Sequence, residues 1–398
     1  MSVTFPRGFV ASGVTAGFKE SGRPDLGLLV GEPGTRTAGL FTTNRVQAAP
    51  VALAKAHLST GTARAVVVNS GQANAATGER GNDDAFAVVA SAAAVLGMDP
   101  HDVVPCSTGV IGEPLHMDAL LAALPSAAET MSADGGDGFA RAILTTDTLD
   151  KQSSATAGEH RVGGCAKGVG MIAPHLATML AFLTTDAAVV ARDLQRLADE
   201  QLAPRFNAFT VDGCSSTNDT VLLLASGASG AAPLAPGDAG WPAFADAIGT
   251  VAQDLVRQLI ADGEGVSHVL IVQVDGAPTE RDARLAARAI ADSPLVKTAV
   301  FGGDPNPGRV LQALGASGAS FDPAAVRISL GDVVIADGGV ISPAYFEPGS
   351  ELAHDARTCM KDAEIVLTID LGSGPGRARI FGCDLSYEYV RINGEYTT

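Results

Sequence analysis

Cysteine is scarce in this chain of 398 residues. The five present, Cys106, Cys165, Cys214, Cys359 and Cys383, are odd in number and widely spaced, with no CxxC pair. That spacing excludes a disulfide framework and a cysteine zinc site, and fits reduced thiols in a cytoplasm. The seven histidines are equally scattered and form no HExxH. Neither a metal nor another cofactor is therefore expected. Positive charge is short as well: 27 Lys and Arg stand against 44 Asp and Glu, a net charge of −17. This argues against nucleic acid and anionic membranes as general partners, while leaving room for a local cationic pocket. No apolar run approaches the roughly 18 residues that span a bilayer. The opening MSVTFPRGFVASG lacks the basic-then-apolar pattern of a secretory signal. Also missing is a GxGxxG turn after a strand, since Gly163, Gly168 and Gly170 do not make that spacing. A doubly wound nucleotide-binding sheet is disfavoured accordingly. There is no internal repeat.

Apolar residues make up 46% and charged residues 18%. The chain can bury a large core and is long enough for two or more domains. Ala63–Asn69 reads as a buried strand, and Asp83–Met98 as a helix with an acidic start and a nearby stop at Pro100. Val103–Cys106 leads into an expected turn at Ser107-Thr108-Gly109. Ala187–Leu202 reads as an amphipathic helix, and Gly227–Pro242 as a loop. Ile248, Val251, Ala252, Leu255 and Leu259 share one face of the clearest helix. Val269–Val274 reads as a strand and Thr279–Asp292 as a helix. Val326–Ile335 and Glu364–Phe381 read as hairpins with glycine-rich turns. The fold class is α+β.

The stretch Lys167-Gly-Val-Gly-Met-Ile-Ala-Pro-His-Leu-Ala-Thr178 is the most informative one. An isolated threonine in an apolar run is usually a strand residue. Here two glycines permit unusual backbone just upstream, and Pro174 stiffens the approach. Were the chain cut between Ala177 and Thr178, Thr178 would carry both a hydroxyl and an α-amino group. The amine has an ordinary pKa of about 7.7–8.0, so it can act as the base for the hydroxyl near neutral pH.

Acyl transfer also needs donors for a developing oxyanion. Ser107-Thr108-Gly109-Val110-Ile111-Gly112 offers a hydroxyl and backbone N–H groups, although an ordinary turn is the plainer reading. Lys167 sits among Gly, Cys, Val and Met with no acidic neighbour in sequence, which suits a carboxylate anchor. Glu264, between glycines, suits a ligand amine. The polar ending Asn393-Gly-Glu-Tyr-Thr-Thr398 would ordinarily be frayed. Asp199 and Glu200 read as solvent-facing helix residues.

These motifs together resemble the ornithine acetyltransferases, also called glutamate N-acetyltransferases. The likeness runs from Gly8 to Thr398. It takes in GLFTTNRVQAAPV, VVVNSGQANAATG, CSTGVIG, ILTTDT, KGVGMIAPHLATML, SSTNDT, ADGEG, SPLVKTAVFGGDPNPGR and the ending CDLSYEYVRINGEYTT.

The resemblance implies an αββα-type layered core like that of N-terminal-nucleophile enzymes, with a smaller C-terminal α/β domain from about residue 280. It implies self-cleavage into an alpha chain, 1–177, and a beta chain, 178–398, which stay together as a heterotetramer of two each. It implies ping-pong transfer of acetyl from N-acetylornithine to glutamate through Thr178, in arginine biosynthesis. Thr108 and Gly109 match the oxyanion hole. Thr145, Lys167, Thr178, Glu264, Asn393 and Thr398 match the substrate-binding set. Three departures stand out. Pro307 replaces the usual tryptophan, removing an aromatic surface and a backbone donor. Gln72 and Ala76 alter NSGNANACTG, and His175-Leu176 replaces a common Asn-Met pair. Other readings stay open on the residues alone: acetyl-CoA as an additional donor, a paralogue of specialised biosynthesis, an aminopeptidase of the same fold, or an uncut binding protein.

Overall fold

The computed structural model describes residues 2–171 and 179–395. The described residues fall into two compact units. One takes in described residues of 2–207 and 214–262, the other those of 208–213 and 263–395.

The first unit is built on two sheets. One has the order β1 (Phe9–Val14), β2 (Leu26–Gly31), β4 (Ala65–Gln72), β5 (Val103–Val110). It is antiparallel except for the parallel β4–β5 pair. The other has the order β3 (Arg36–Phe41), β9 (Thr220–Ala225), β8 (Leu180–Thr185), β7 (His160–Lys167), β6 (Lys151–Ala157). Strand alternation sorts the side chains of β2 and β4 between two cores. Leu29, Val66 and Val68 point between the sheets and meet Cys165, Phe182, Leu222 and Leu224. Leu26, Leu28, Ala65 and Val67 face the other way. There they pack on Val88, Val89 and Ala92 of helix Gly78–Leu96 and on Leu120 and Leu124 of helix Met117–Glu129.

The outer face of the second sheet is covered by helix Trp241–Ala261. Its Val251 and Leu255 lie so close to Gly164 of β7 that an added Cβ would sit 3.0 and 3.1 Å from them. The layers therefore run helix, sheet, sheet, helix, the αββα arrangement expected. Thr108 and Gly109 belong to β5 rather than to a turn. The expected helix Ala187–Leu202 begins only at Ala191.

The second unit holds one six-stranded sheet. Its order is β13 (Val340–Ile341), β12 (Val333–Asp337), β11 (Arg327–Leu330), β14 (Glu364–Asp370), β10 (Val269–Ala277), β15 (Gly376–Cys383). The β11–β12 pair is the hairpin expected over Val326–Ile335. Glu364–Phe381 is not a hairpin, because β10 lies between β14 and β15 and pairs with both. The glycine-rich link straddles the end of β10, where Gly374 donates its N–H to the Gly276 carbonyl at 3.0 Å. A Cβ on Gly276 would meet the Gly372 oxygen at 2.2 Å, so this crossing requires glycine.

Ala283, Ala286, Ala287 and Ile290 of helix Glu280–Asp292 pack on the sheet. The main part of this unit runs from Gly263, ahead of residue 280, with β10 as one of its inner strands. Pro307 is the first residue of helix Pro307–Gly315, capped by the Asn306 side chain. An N–H at that position would have no partner within the helix, so proline removes nothing the helix uses. No helix among the described residues is long and apolar enough to cross a membrane.

Candidate active site

Thr108 and Gly109 are placed by the parallel pairing of β5 with β4, which sets Ser70 beside Thr108 and Gly71 beside Gly109. Both glycines have positive φ, +127° at Gly71 and +135° at Gly109. The two backbones touch: a Cβ on Gly109 would lie 2.2 Å from the carbonyl carbon of Gly71. Buried amides brace this point. Ser107 Oγ donates to Asn69 Oδ1 at 2.5 Å, and Asn69 Nδ2 donates to the Gln72 carbonyl at 2.8 Å. Asn218 Nδ2 donates to the carbonyls of Ala73 and Ser107, at 2.6 and 2.8 Å. Gln72 is itself absorbed structurally, accepting the His116 N–H at 3.0 Å.

Lys167 ends β7 and is only 2% exposed. Its Nζ donates to Thr108 Oγ1 at 3.0 Å and to Thr145 Oγ1 at 2.7 Å. A hydroxyl that accepts from an ammonium keeps its own hydrogen for a further acceptor. Thr108 is thus set to donate, as an oxyanion contact must.

Lys167 lacks an acidic neighbour in sequence but has one in the fold. Asp147, fully buried, accepts from the Thr145 N–H at 3.0 Å and from the Gly168 N–H at 2.8 Å. It also accepts from Lys151 Nζ at 2.8 Å. Lys151, 1% exposed, donates onward to Asp262 Oδ2 at 2.5 Å. Asp262 in turn takes the Thr148 N–H at 3.1 Å and the Thr148 hydroxyl. Burial pushes the Asp147 carboxyl up, but Lys167, Lys151 and the Gly168 N–H outweigh it and hold the pKa at about 2. A carboxyl depressed on folding adds stability above its unfolded pKa and loses it as pH falls through the folded value. We expect about 2 kcal/mol of unfolding free energy to disappear between roughly pH 5 and pH 2 from this group. Urea titrations at stepped pH would measure it, and a flat profile over that range would contradict this assignment.

Asp219 was not apparent from sequence. It is fully buried, and its Oδ1 accepts the Met179 N–H at 3.0 Å. Its Oδ2 has no hydrogen-bond partner among the described residues. Burial pushes this carboxyl well above the usual range, against the Met179 N–H, Ser216 and Lys167. Through that bond it fixes the backbone of the residue that follows Thr178.

In the second unit, Asn393 lies in helix Tyr387–Glu395, so this part of the ending is not frayed. Its Nδ2 donates to Glu264 Oε2 at 2.8 Å. Thr108, Gly109, Thr145 and Lys167 are thus gathered in one unit, and Glu264 with Asn393 in the other. Ala177, Thr178 and Thr398 lie outside the described residues. Asp147, Lys151, Asp262 and Asp219 are the polar residues that sequence reading missed. Asp147, Asp262 and Asp219 had a signal in ILTTDT, ADGEG and SSTNDT, while Lys151 lies outside the quoted motifs. Among the described residues no group of His, Cys, Asp and Glu could hold a metal, and none of the cysteines is in a disulfide.

Comparison with known proteins matches this sequence to a family. The pattern of the ArgJ family covers residues 10–398. The "Arginine biosynthesis bifunctional protein ArgJ" of Symbiobacterium thermophilum is 46% identical over 402 residues, spanning 100% of this chain and 98% of its own. The protein of the same name from Thermus thermophilus is 45% identical over 399 residues, spanning 100% of both. The crystal structure of arginine biosynthesis bifunctional protein ArgJ from Bacillus halodurans, 36% identical, covers 55% of this chain and 100% of that chain with a TM-score of 0.51. By its sequence over its whole length, the chain belongs to the ArgJ family.

Proposed function

We propose that this chain cleaves itself between Ala177 and Thr178 and then carries acetyl from N-acetylornithine to glutamate, in arginine biosynthesis. The Thr178 hydroxyl attacks the Ala177 carbonyl, the amide becomes an ester, and water releases the Ala177 carboxylate. The freed α-amine then takes the hydroxyl proton as Thr178 attacks the acetyl carbonyl of the donor. Thr108 and the Gly109 N–H bind the oxyanion. It collapses, the protonated ornithine amine leaves, and acetyl-Thr178 remains. The amine of glutamate repeats the steps in reverse. Lys167 and Thr145 hold the substrate carboxylate, Glu264 the side-chain ammonium of ornithine, and Asn393 and Thr398 close the substrate set.

The observation that carries this reading is the buried Lys167 ammonium shared between the Thr108 and Thr145 hydroxyls. Burying an ammonium against hydroxyls is costly unless it serves a ligand or a charge nearby. The names of the relatives support the pathway, and the word bifunctional in them favours acetyl-CoA as an additional donor to glutamate. The two fragments work as a heterotetramer of two each, in the cytoplasm.

Denaturing electrophoresis with intact mass tests the first step. Wild-type protein should give fragments beginning at Met1 and Thr178, and Thr178→Ala a single 40.2 kDa chain. Initial rates with N-acetylornithine and glutamate should give parallel double-reciprocal lines. A wild-type chain that stays whole, or intersecting lines, would overturn the acetyl-threonine route.

A further inference from the structure

The transfer reaction sets a charge problem. One acyl-enzyme serves two amino acids whose side chains have opposite sign, an ammonium on ornithine and a carboxylate on glutamate. A carboxylate such as Glu264 that suits the first repels the second. The acceptor needs a cation that the donor does not use.

The first unit has a cavity of about 250 Å³ whose lining includes Lys19, Arg23, Arg141, Thr145, Thr148 and Asp150. In a chain with net charge −17, three cations around one small cavity run against the general balance. Asp150 is the one carboxylate in the lining, and its Oδ2 already accepts from Gln152 Nε2 at 2.7 Å, while Asp25 and Asp147 act on Lys19 from outside it. Lys19 uses one donor on the Pro24 carbonyl, at 2.7 Å. Among the described residues the Arg23 guanidinium reaches only Ser21, at 3.4 Å, and the Arg141 guanidinium has no hydrogen bond or ion pair. Thr145 links this cavity to the Lys167 cluster, since it lines the one and accepts from Lys167 at 2.7 Å. A dicarboxylate with one end on Lys167 therefore has its other end a short side chain away from the cationic wall.

We propose that this cavity receives the side-chain carboxylate of the acceptor, with Lys19, Arg23 and Arg141 as the recognising cations. This rests on the transfer reaction proposed above. Guanidinium forks suit a carboxylate by shape as well as charge. N-acetylornithine, whose side chain is cationic, has no use for them.

Two assays on the Arg23→Ala, Arg141→Ala and double variants separate the inference from its foundation. Exchange of labelled ornithine into N-acetylornithine needs no glutamate and should stay within twofold of wild type. The KM for glutamate should rise at least tenfold in the double variant, and its preference for glutamate over glutamine should fall. An unchanged glutamate KM would overturn the assignment, and so would exchange lost in step with transfer. Absence of exchange in cleaved wild-type protein would remove the transfer reading itself, and this inference with it.

Discussion

Asp147→Ala should lower the free energy of unfolding by about 3–5 kcal/mol, the usual cost of removing one partner from a buried charge pair. Lys151 and Lys167 are 1% and 2% exposed, and neither ammonium can turn to water without moving its strand. Lys151 would keep Asp262 at 2.5 Å. Lys167 would keep the Thr108 and Thr145 hydroxyls but lose the carboxylate that faces it from Asp147. The backbone would suffer as well, since the N–H groups of Thr145 and Gly168 both end on this carboxylate. Urea unfolding at neutral pH would measure the loss. Asp147→Asn should recover part of the backbone bonding but not the charge. A loss under about 1 kcal/mol for Asp147→Ala would show that the lysines carry no real charge burden.

Gly109→Ala should reduce kcat by at least about 100-fold, the scale of losing one oxyanion donor. Its φ of +135° is one that L side chains rarely adopt, and its Cβ would meet Gly71 at 2.2 Å. Strands β4 and β5 would have to part at the point where the proposed N–H donor is aimed. Gly71→Ala probes the same contact from the other side, where the added atom meets the Phe18 side chain at 2.9 Å. That Cβ is fixed to the Phe18 backbone, and the φ of +127° at Gly71 also disfavours a side chain, so Gly71→Ala should disturb the same strand contact. Circular dichroism and unfolding curves would separate a misplaced donor from a failed fold. Near-normal turnover in folded Gly109→Ala would remove the donor role.

Elements of the core were legible because their signals are local. The short apolar run over β4 and the apolar face of helix Trp241–Ala261 survive in any context, while the layering itself was implied by the family resemblance. The Thr108–Gly109 turn was misread because small residues usually mark turns, while here small size lets two parallel strands touch. The false hairpin at Glu364–Phe381 has a related cause. A glycine-rich link shows that the chain reverses, not what lies between its arms. Lys167 stood out by its apolar surroundings, but Asp147 did not, since a burying fold turns an ordinary i,i+4 Asp–Lys pair into a charged core. Asp219 stands in SSTNDT but was not singled out there, because its effect depends on a pairing 40 residues away, with Met179.

The order β3-β9-β8-β7-β6 has a consequence for folding history. A cut between Ala177 and Thr178 puts β3, β6 and β7 on one fragment and β8 and β9 on the other. Seams β3–β9 and β7–β8 are then hydrogen-bonded ladders between separate chains, from Arg36↔Ala225 to Phe41↔Thr220 and from Val162↔Thr185 to Lys167↔Leu180. The precursor can form this sheet as a unimolecular event, and the cut protein cannot. After denaturation, recovery of the uncut Thr178→Ala chain should not depend on concentration, whereas recovery of the cut protein should rise with it by mass action. Maturation would thereby be a one-way passage, in which the intact chain templates an assembly that its own fragments rebuild only by encounter.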